Sequence, residues 1–373
     1  MPSPSSRQLL PIGNDVATHR SQRSGRTGAN HVEKRDGTHR AVVPPMSATG
    51  KIRLLHEVGR GSTATVWAAH HAGLGRKVAV KRVSAERLAE YPDEVARLAR
   101  EAWIGARLRS PHAVRILAHA QRQDASYLVM EWSNGETLEE HLRARGPLEL
   151  VEVDGIVRQV ASLLAEAHGL GIVHRDIKPT NLLVTDRADG PFVEVLDFGI
   201  AALLTEPSPP AGRVLGTPLY MSPERFTGTA ERDPRADLWS LAVVAYRALT
   251  GVHPFSGKTL ADVAVAVQGT VVPPSQLRSS LPPSVDVWFA RAFARDVACR
   301  FQTPASMSAS LSRAVDVSDE ATSVAIDVDW APESLPSDEL DQTIRMASFE
   351  GPRPVARGDC ASASPPDRLA TVA

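Results

Sequence analysis

The eight residues "HRDIKPTN", 174 to 181, set cations, a carboxylate, an amide and a proline directly after the apolar run Gly171, Ile172, Val173. Polar groups at the end of a buried-looking segment must satisfy one another or face a ligand, because an unpaired buried charge is costly. Within the stretch, Asp176 can accept a proton, Lys178 can reach an anionic group and Asn181 can offer an oxygen to a hard cation. Twenty-one residues after Asp176 comes Asp197 in "LDFG", behind the apolar-rich "FVEVL". A second oxygen donor there, with Gly199 letting the chain turn, completes a candidate Mg2+ site from Asn181 and Asp197.

The texture of the chain around this stretch changes three times. Residues 1 to about 50 are rich in Ser, Arg, His, Gly and Pro without apolar periodicity, which reads as a disordered arm. Met46 lies just before the first strand-like stretch, so translation starting there is an alternative to Met1. From Ile52 the strand-like stretches "IRLLHEV", "TVWAAHH", "KVAVKRV" and "SYLVMEW" surround one helical segment near 93 to 108. After Gly135 the pattern turns helical. In "VDGIVRQVASLLAEAH" an apolar stripe of Val153, Ile156, Val157, Val160, Leu163 and Leu164 predicts one buried face. Further helices are expected over about 234 to 250, 258 to 268, 284 to 295 and 304 to 314. A small strand-rich lobe followed by a larger helical one is an α+β arrangement, and the cleft between lobes is the default ligand site. From 316 to 373 the sequence is first acidic, with no Lys or Arg between Asp316 and Asp341, then rich in Pro, Ala and Ser. It reads as a disordered tail.

Composition excludes several classes. A formal net charge of -1 gives no field calling for nucleic acid or an anionic membrane, and with aromatics at 5% no basic stripe with interleaved aromatics appears. No apolar run approaches the roughly 18 residues that span a bilayer. Cys299 and Cys360 are the two cysteines; far apart and without a CxxC, they argue against a disulfide scaffold or a zinc site and fit a reducing compartment. The expectation is a cytoplasmic protein without a membrane anchor.

Two stretches in the strand-rich lobe complement the polar octet. In "GRGSTATV", 59 to 66, Gly59 and Gly61 would let backbone N–H groups approach phosphate oxygens, though taken alone a plain Gly-rich β-turn is the favoured reading. It lacks the Gly-Lys-Ser/Thr end of a Walker A loop. In "VAVK", 78 to 81, period-two alternation sets Ala79 and Lys81 on one face and Val78 and Val80 on the other. Taken alone the favoured reading is a lysine facing solvent, and the neighbouring Gly loop shifts it toward phosphate; an inward lysine needs an anion and a counter-charge. In the helical segment "DEVARLAREAWIGARL" the candidates are Glu94 and Glu101, of which Glu101 has the more apolar flanks and Glu94 reads as solvated.

Taken in order, "GRGSTATV", "VAVK", Glu101, "HRDIKPTN", "DFG", "GTPLYMSPE" (216 to 224), "DLWSLAVV" (237 to 244) and Arg300 in "ARDVACRF" resemble a eukaryotic-type (Hanks-type) serine/threonine protein kinase of the bacterial branch. The resemblance covers roughly 52 to 314, a whole bilobal catalytic domain. It implies ATP and Mg2+ as cosubstrate and cofactor and proteins bearing Ser or Thr as partners. It further implies that Gly59, Arg60, Gly61 and Ser62 cover the phosphates, that Lys81 pairs with Glu101 and holds the α- and β-phosphates, and that Asp176 accepts the substrate hydroxyl proton. Lys178 would neutralise the γ-phosphate while Asn181 and Asp197 hold Mg2+. Met130 would stand as gatekeeper, the backbone of Glu131 and Ser133 would meet adenine, and Val66, Ala79 and Leu183 would sandwich the base. Glu224 would pair with Arg300, and Asp237 would brace the catalytic loop.

Departures from the family pattern are small residues: Ala64 for the third glycine of the loop, Ser222 for the alanine of Ala-Pro-Glu, and Ala242 for a common glycine. Residues 211 to 215 carry no hydroxyl, leaving Thr205 and Ser208 as activation-loop candidates, so activity is expected to depend weakly on phosphorylation there. Thr322 and Thr343, among carboxylates, are candidate docking sites for phosphothreonine-reading domains. Two other classes compete: a pseudokinase scaffold that binds nucleotide and a partner without transfer, and a small-molecule phosphotransferase, against which the intact "GTPLYMSPE" argues.

Overall fold

Strands build the first lobe. The computed structural model describes residues 52–61, 64–188, 190–198, 201–203, 217–227 and 233–324. Five strands, β1 (Ile52–Arg60), β2 (Thr65–His71), β3 (Arg76–Ser84), β4 (Ile116–Gln121) and β5 (Ala125–Glu131), form one antiparallel sheet in the order β1-β2-β3-β5-β4. The alternation read in "VAVK" holds: Val78 and Val80 are buried with Ala69, Ala118 and Val129, while Lys81 lies on the opposite face. On that face Val83, Leu128 and Met130 pack against Leu98 and Ala102 of helix α2 (Asp93–Gly105), which follows the short α1 (Ala85–Glu90).

Two elements here were not legible. Strand β4, "ILAHAQ", carries His119 and Gln121 and only one β-branched residue, so its pattern is weak; the sheet supplies the pairing. Helix α1 is a single six-residue turn system capped by Ser84, whose hydroxyl accepts from the Arg87 N–H.

The second lobe starts at β6 (Glu136–Thr137), which runs into α3 (Leu138–Arg145). Thr137 and Glu140 cap α3 reciprocally, the N-cap hydroxyl and the N3 carboxylate each taking the other's backbone N–H. Helix α4 (Leu150–Gly169) buries the whole predicted stripe. The strands β7 (Ile172–Val173), β8 (Leu182–Arg187), β9 (Gly190–Val195) and β10 (Ala202–Leu203) then form two small sheets, β6-β8-β9 and β10-β7. After α5 (Pro223–Thr227), helix α6 (Arg235–Thr250) is buried on nearly all sides and ends at Gly251, whose φ of 78° suits glycine. Around it lie α7 (Leu260–Ala266), α8 (Pro274–Leu277), α9 (Pro283–Ala292) and α10 (Pro304–Val324). Rings of Trp239, Tyr246, Phe255, Phe289 and Phe293 pack edge-on and stacked at this centre.

Helix α10 buries Met307, Leu311 and Ala314 and then continues to Val324, past the Asp316 where the apolar pattern stops. Glu320 and Ala321 are good helix formers and no Pro or Gly intervenes, so backbone propensity carries the helix on. A second correction concerns Cys299, in the 3-10 turn Val297–Cys299. It is disulfide-bonded, against the reading of the cysteines as lying outside any disulfide.

Candidate active site

Lys81 projects from the middle of β3 and bridges two carboxylates. Its ammonium donates to Glu101 Oε2 and to Asp197 Oδ1, each at 2.9 Å. Burial works against the ammonium, but Glu101 and Asp197 outweigh it and hold its pKa above that of an ordinary lysine. For Glu101 burial is the largest influence and lifts its pKa to about 7, opposed in part by Lys81. The two carboxylates differ in access: the Glu101 side chain is 3% exposed and that of Asp197 is 42% exposed. Glu101 is shut in as a counter-ion, whereas Asp197 stays open to a further ligand. Glu94, read as solvated, is also buried; Arg97, one turn on, donates to it at 2.5 Å and neutralises it. Glu101 is therefore the partner because of the direction it faces, since both carboxylates lie inside.

The octet 174 to 181 forms a second cluster. Asp176 accepts from Lys178 Nζ at 2.7 Å and from Asn181 Nδ2 at 3.0 Å on Oδ2, while the Thr217 hydroxyl donates to Oδ1 at 3.2 Å. Lys178 also donates to Thr217 Oγ1 at 2.8 Å, which ties "GTPLYMSPE" to the octet. Asn181 Nδ2 donates to the Asp176 carbonyl too, so its amide is fixed with the side-chain oxygen accepting no bond among the described residues. The Leu196 N–H donates to the Asn181 carbonyl at 2.8 Å, bringing the start of "LDFG" beside Asn181.

Backbone geometry aims these groups. Among the described residues Arg175 and Asp197 are the non-glycine ones with positive φ, 71° and 59°, a conformation that costs about 1–2 kcal/mol. At Arg175 the cost is offset by Asp237. This buried carboxylate accepts the N–H groups of His174 at 2.8 Å and Arg175 at 2.7 Å, and His168 Nε2 bonds the same carboxylate at 2.9 Å. Burial raises the Asp237 pKa, but the His168 bond and its neighbours prevail and keep it below the usual carboxylate range. The Arg225 guanidinium caps the Arg175 carbonyl at 2.8 Å. Deeper in, Arg300 holds Glu224 with two parallel bonds of 3.0 and 2.9 Å, the pairing expected from the sequence.

At the other wall, Met130 is buried where β5 pairs with β3 at Ala79. Gly61 N–H closes a tight turn on the Ala64 carbonyl at 2.8 Å. A Cβ on Gly59 would meet nothing within 4 Å, and one on Gly61 only that carbonyl at 3.5 Å. The fold itself does not require glycine at either position. The Arg60 guanidinium pairs with Glu57, leaving only its backbone to the loop, and Ser62 lies outside the described residues. Thr205, Ser208, Gly199 and Thr343 lie outside them as well, and Thr322 falls within helical α10 rather than in an extended segment.

Several partners were beyond sequence reasoning. Glu194 accepts from the Ser133 hydroxyl at 2.5 Å, and Tyr220 accepts from Arg247, itself paired through both guanidinium nitrogens with Glu139. Beside this pair His253 stacks edge-on to Tyr220, and burial with Arg247 lowers its pKa to about 4. Among the described residues no group of three or more His, Cys, Asp and Glu could hold a metal by itself. Asn181 and Asp197 supply two hard oxygen donors, which suits a hard cation that takes its remaining oxygens from a phosphate ligand and water. No described helix is long and apolar enough to cross a membrane.

Comparison with known proteins agrees with this arrangement. A family model described as protein kinase domain matches residues 52–301. The chain is 37% identical over 272 residues to the serine/threonine-protein kinase PknE of Mycobacterium bovis, covering 73% of this chain and 47% of that protein. It is 36% identical over 269 residues to the serine/threonine-protein kinase pkn3 of Myxococcus xanthus, covering 69% and 48%. To PknD of Mycobacterium tuberculosis it is 34% identical over 292 residues, covering 77% and 43%. The chain thus spans about half the length of the curated relatives it matches.

Proposed function

This chain belongs to the protein kinase family, in its Hanks-type serine/threonine branch, and we propose that it transfers the γ-phosphoryl group of ATP to serine and threonine hydroxyls of proteins, itself included. The observation that carries the proposal is the meeting of Lys178 and Thr217 on the Asp176 carboxylate. It sets a proton acceptor, a cation and the "GTPLYMSPE" segment at one point, as transfer to a peptide hydroxyl requires.

In this reading Asp176 takes the proton of the substrate hydroxyl as its oxygen bonds to the γ-phosphorus and the bond to the β–γ bridging oxygen breaks, releasing ADP. Lys178 offsets the charge on the transferred group. Lys81, held by Glu101, binds the α- and β-phosphates, and the backbone of Gly59, Arg60, Gly61 and Ser62 covers them. Asn181 and Asp197 would hold Mg2+, which supplies charge neutralisation on the phosphates when bound. Adenine would lie between Val66, Ala79 and Leu183 with Met130 behind it and the backbone of Glu131 and Ser133 at its edge. Catalysis here is positioning and electrostatics, so the many bonds that fix Asp176 are its substance.

We take the catalytic domain to run from Ile52 to about Ala314. The burial of Met307, Leu311 and Ala314 in the main core supports this extension beyond the matched region. The arms 1–50 and 316–373 would lie outside it. Activity is assigned to the cytoplasm, where ATP and protein substrates meet, and weak dependence on activation-loop phosphorylation stays a proposal.

The test is phosphate transfer from γ-labelled ATP with Mg2+, to the chain itself and to a generic basic protein, with Asp176→Asn and Lys81→Met alongside. Transfer lost in both variants is expected. Tight MgATP binding with no transfer by the wild type would sink the proposal and favour a nucleotide-binding scaffold.

A further inference from the structure

Residues 131 to 133 lead out of β5 toward β6, from the first lobe into the second. Each of their side chains has a partner of its own. The Arg76 guanidinium pairs with Glu131, and the Lys77 ammonium lies 3.5 Å from the centre of the Trp132 ring. Both of these anchors belong to β3, in the first lobe. Ser133 is held from the other side. Its hydroxyl donates to Glu194 Oε2 at 2.5 Å, a length typical of bonds to a charged acceptor, and Glu194 belongs to β9 in the second lobe. The Gly135 N–H donates to the same hydroxyl at 3.4 Å. The anchoring of the connection therefore changes lobes between Trp132 and Ser133.

The place of Glu194 in its sheet sharpens the point. Along β8 and β9, Leu182, Val184, Val193 and Val195 enter the core, while Leu183 and Glu194 take the opposite face as directly paired neighbours. Leu183 is the residue read above as a wall of the adenine site. A half-buried carboxylate beside it is costly without a donor, and among the described residues the Ser133 hydroxyl is the donor it has. One bond thus answers the charge next to Leu183 and fixes Ser133, two residues on either side of the same base.

We propose that Glu194 is a positioning residue for the nucleotide: by taking the Ser133 hydroxyl it holds the Ser133 backbone where adenine meets it. Ser133 touches the base, and Glu194 acts through it. That the ligand is a nucleotide rests on the kinase reading above. The effect falls on binding, because Asp176 is held by Lys178, Asn181 and Thr217, none of which bonds this pair. A connection that keeps only about a tenth of its population in the competent form binds about tenfold more weakly.

The experiment uses the full chain and measures the Kd for MgADP by calorimetry, with KM for ATP and kcat in phosphate transfer. It compares wild type, Glu194→Val, Glu194→Gln, Ser133→Ala and the double variant of Glu194→Val with Ser133→Ala. Glu194→Val and Ser133→Ala should each weaken MgADP and raise KM for ATP about tenfold, with kcat changed less than about twofold. Glu194→Gln keeps an acceptor oxygen and should stay within about threefold of wild type. The double variant should lie within about threefold of either single one, because both remove the same bond. A merely structural role would lower the melting temperature and leave the Kd of the folded fraction where it was, and that result overturns the proposal. Losses that multiply in the double variant overturn it too. If Glu194→Val does not fold, Glu194→Asp, which keeps the charge but draws the oxygens back by one methylene, is scored by the same tenfold margin. Transfer by the wild type with none of these shifts refutes the role of Glu194 and leaves the kinase reading. MgADP binding that follows the expected order without any transfer refutes the kinase reading and leaves the pair standing, and a wild type that binds no MgADP overturns both.

Discussion

Asp237→Asn keeps the size and shape of a buried side chain and removes one of its two acceptor oxygens. In the native site Oδ1 takes the Arg175 N–H, and Oδ2 takes the His174 N–H and bonds His168 Nε2. An asparagine can best keep the two partners of Oδ2, so its NH2 faces the Arg175 N–H, donor against donor. The loss is one hydrogen bond to a charged group, about 1.5–3 kcal/mol, with a buried donor left unpaired. Arg175 is also where φ is 71°, a conformation costing about 1–2 kcal/mol that the lost bond no longer secures. The lost bond predicts destabilisation of about 1.5–3 kcal/mol, or roughly 3–12 °C in Tm for a domain of this size. Relaxation at Arg175 would move the next residue, Asp176, and a displacement near 1 Å is worth about 100-fold in kcat. Urea and thermal unfolding, with steady-state transfer below the new Tm, measure both effects. A variant within about 1 kcal/mol of wild type and with unchanged kcat would show that Asp237 does not hold the loop, and the argument would fail.

Other expectations follow from the same network. Arg300→Met leaves Glu224 buried without its partner and should cost about 3–5 kcal/mol in urea unfolding; a loss under about 1 kcal/mol would contradict it. Lys178→Met should lower kcat by about 100- to 1,000-fold with KM for ATP little changed, and a pure KM effect would displace Lys178 from the transferred group. His253 has a folded pKa near 4 against 6.5 when unfolded, so the unfolded chain binds the extra proton first. Stability is then full above about pH 6.5 and falls as pH drops toward 4, by about 1–2 kcal/mol once screening of a half-exposed ring is allowed for. His253→Phe should flatten that slope, and an unaltered slope in the variant would assign it elsewhere.

What could be read in advance depends on distance along the chain. The shared face of Ala79 and Lys81 follows from alternation in four residues, and the buried stripe of α4 from spacing within sixteen; both are local patterns that the structure keeps. The pairings of Lys81 with Glu101 and of Glu224 with Arg300 cross 20 and 76 residues; the flanks of Glu101 favoured it over Glu94, and only the resemblance to a family supplied the second pair. Where neither source spoke, the reading failed. Glu94 looks solvated until the packing of α2 buries it and Arg97 answers its charge. The close approach at Gly105, where a Cβ would stand 2.2 Å from Cγ1 of Ile116, is invisible, because "WIGAR" says nothing of a residue eleven positions on and on another element.

The polarity of "HRDIKPTN" now has a physical account, and it divides by direction. The backbone of His174 and Arg175 turns inward to the Asp237 carboxylate, and the Arg175 carbonyl to Arg225. Lys178 and Asn181 turn onto Asp176. The first set is anchored in α5 and α6, elements buried in the helical core; the second converges on a single carboxylate whose orientation the first set determines. Such an arrangement separates the costs: the strain at Arg175 is borne by buried, charge-assisted bonds that make no contact with substrate, so the groups around Asp176 need not hold their own backbone. It follows that substitutions in the anchoring set should reduce stability and kcat together, as worked out for Asp237. Substitutions of Lys178, which only completes the cluster, should reduce kcat while leaving the unfolding midpoint nearly where it was.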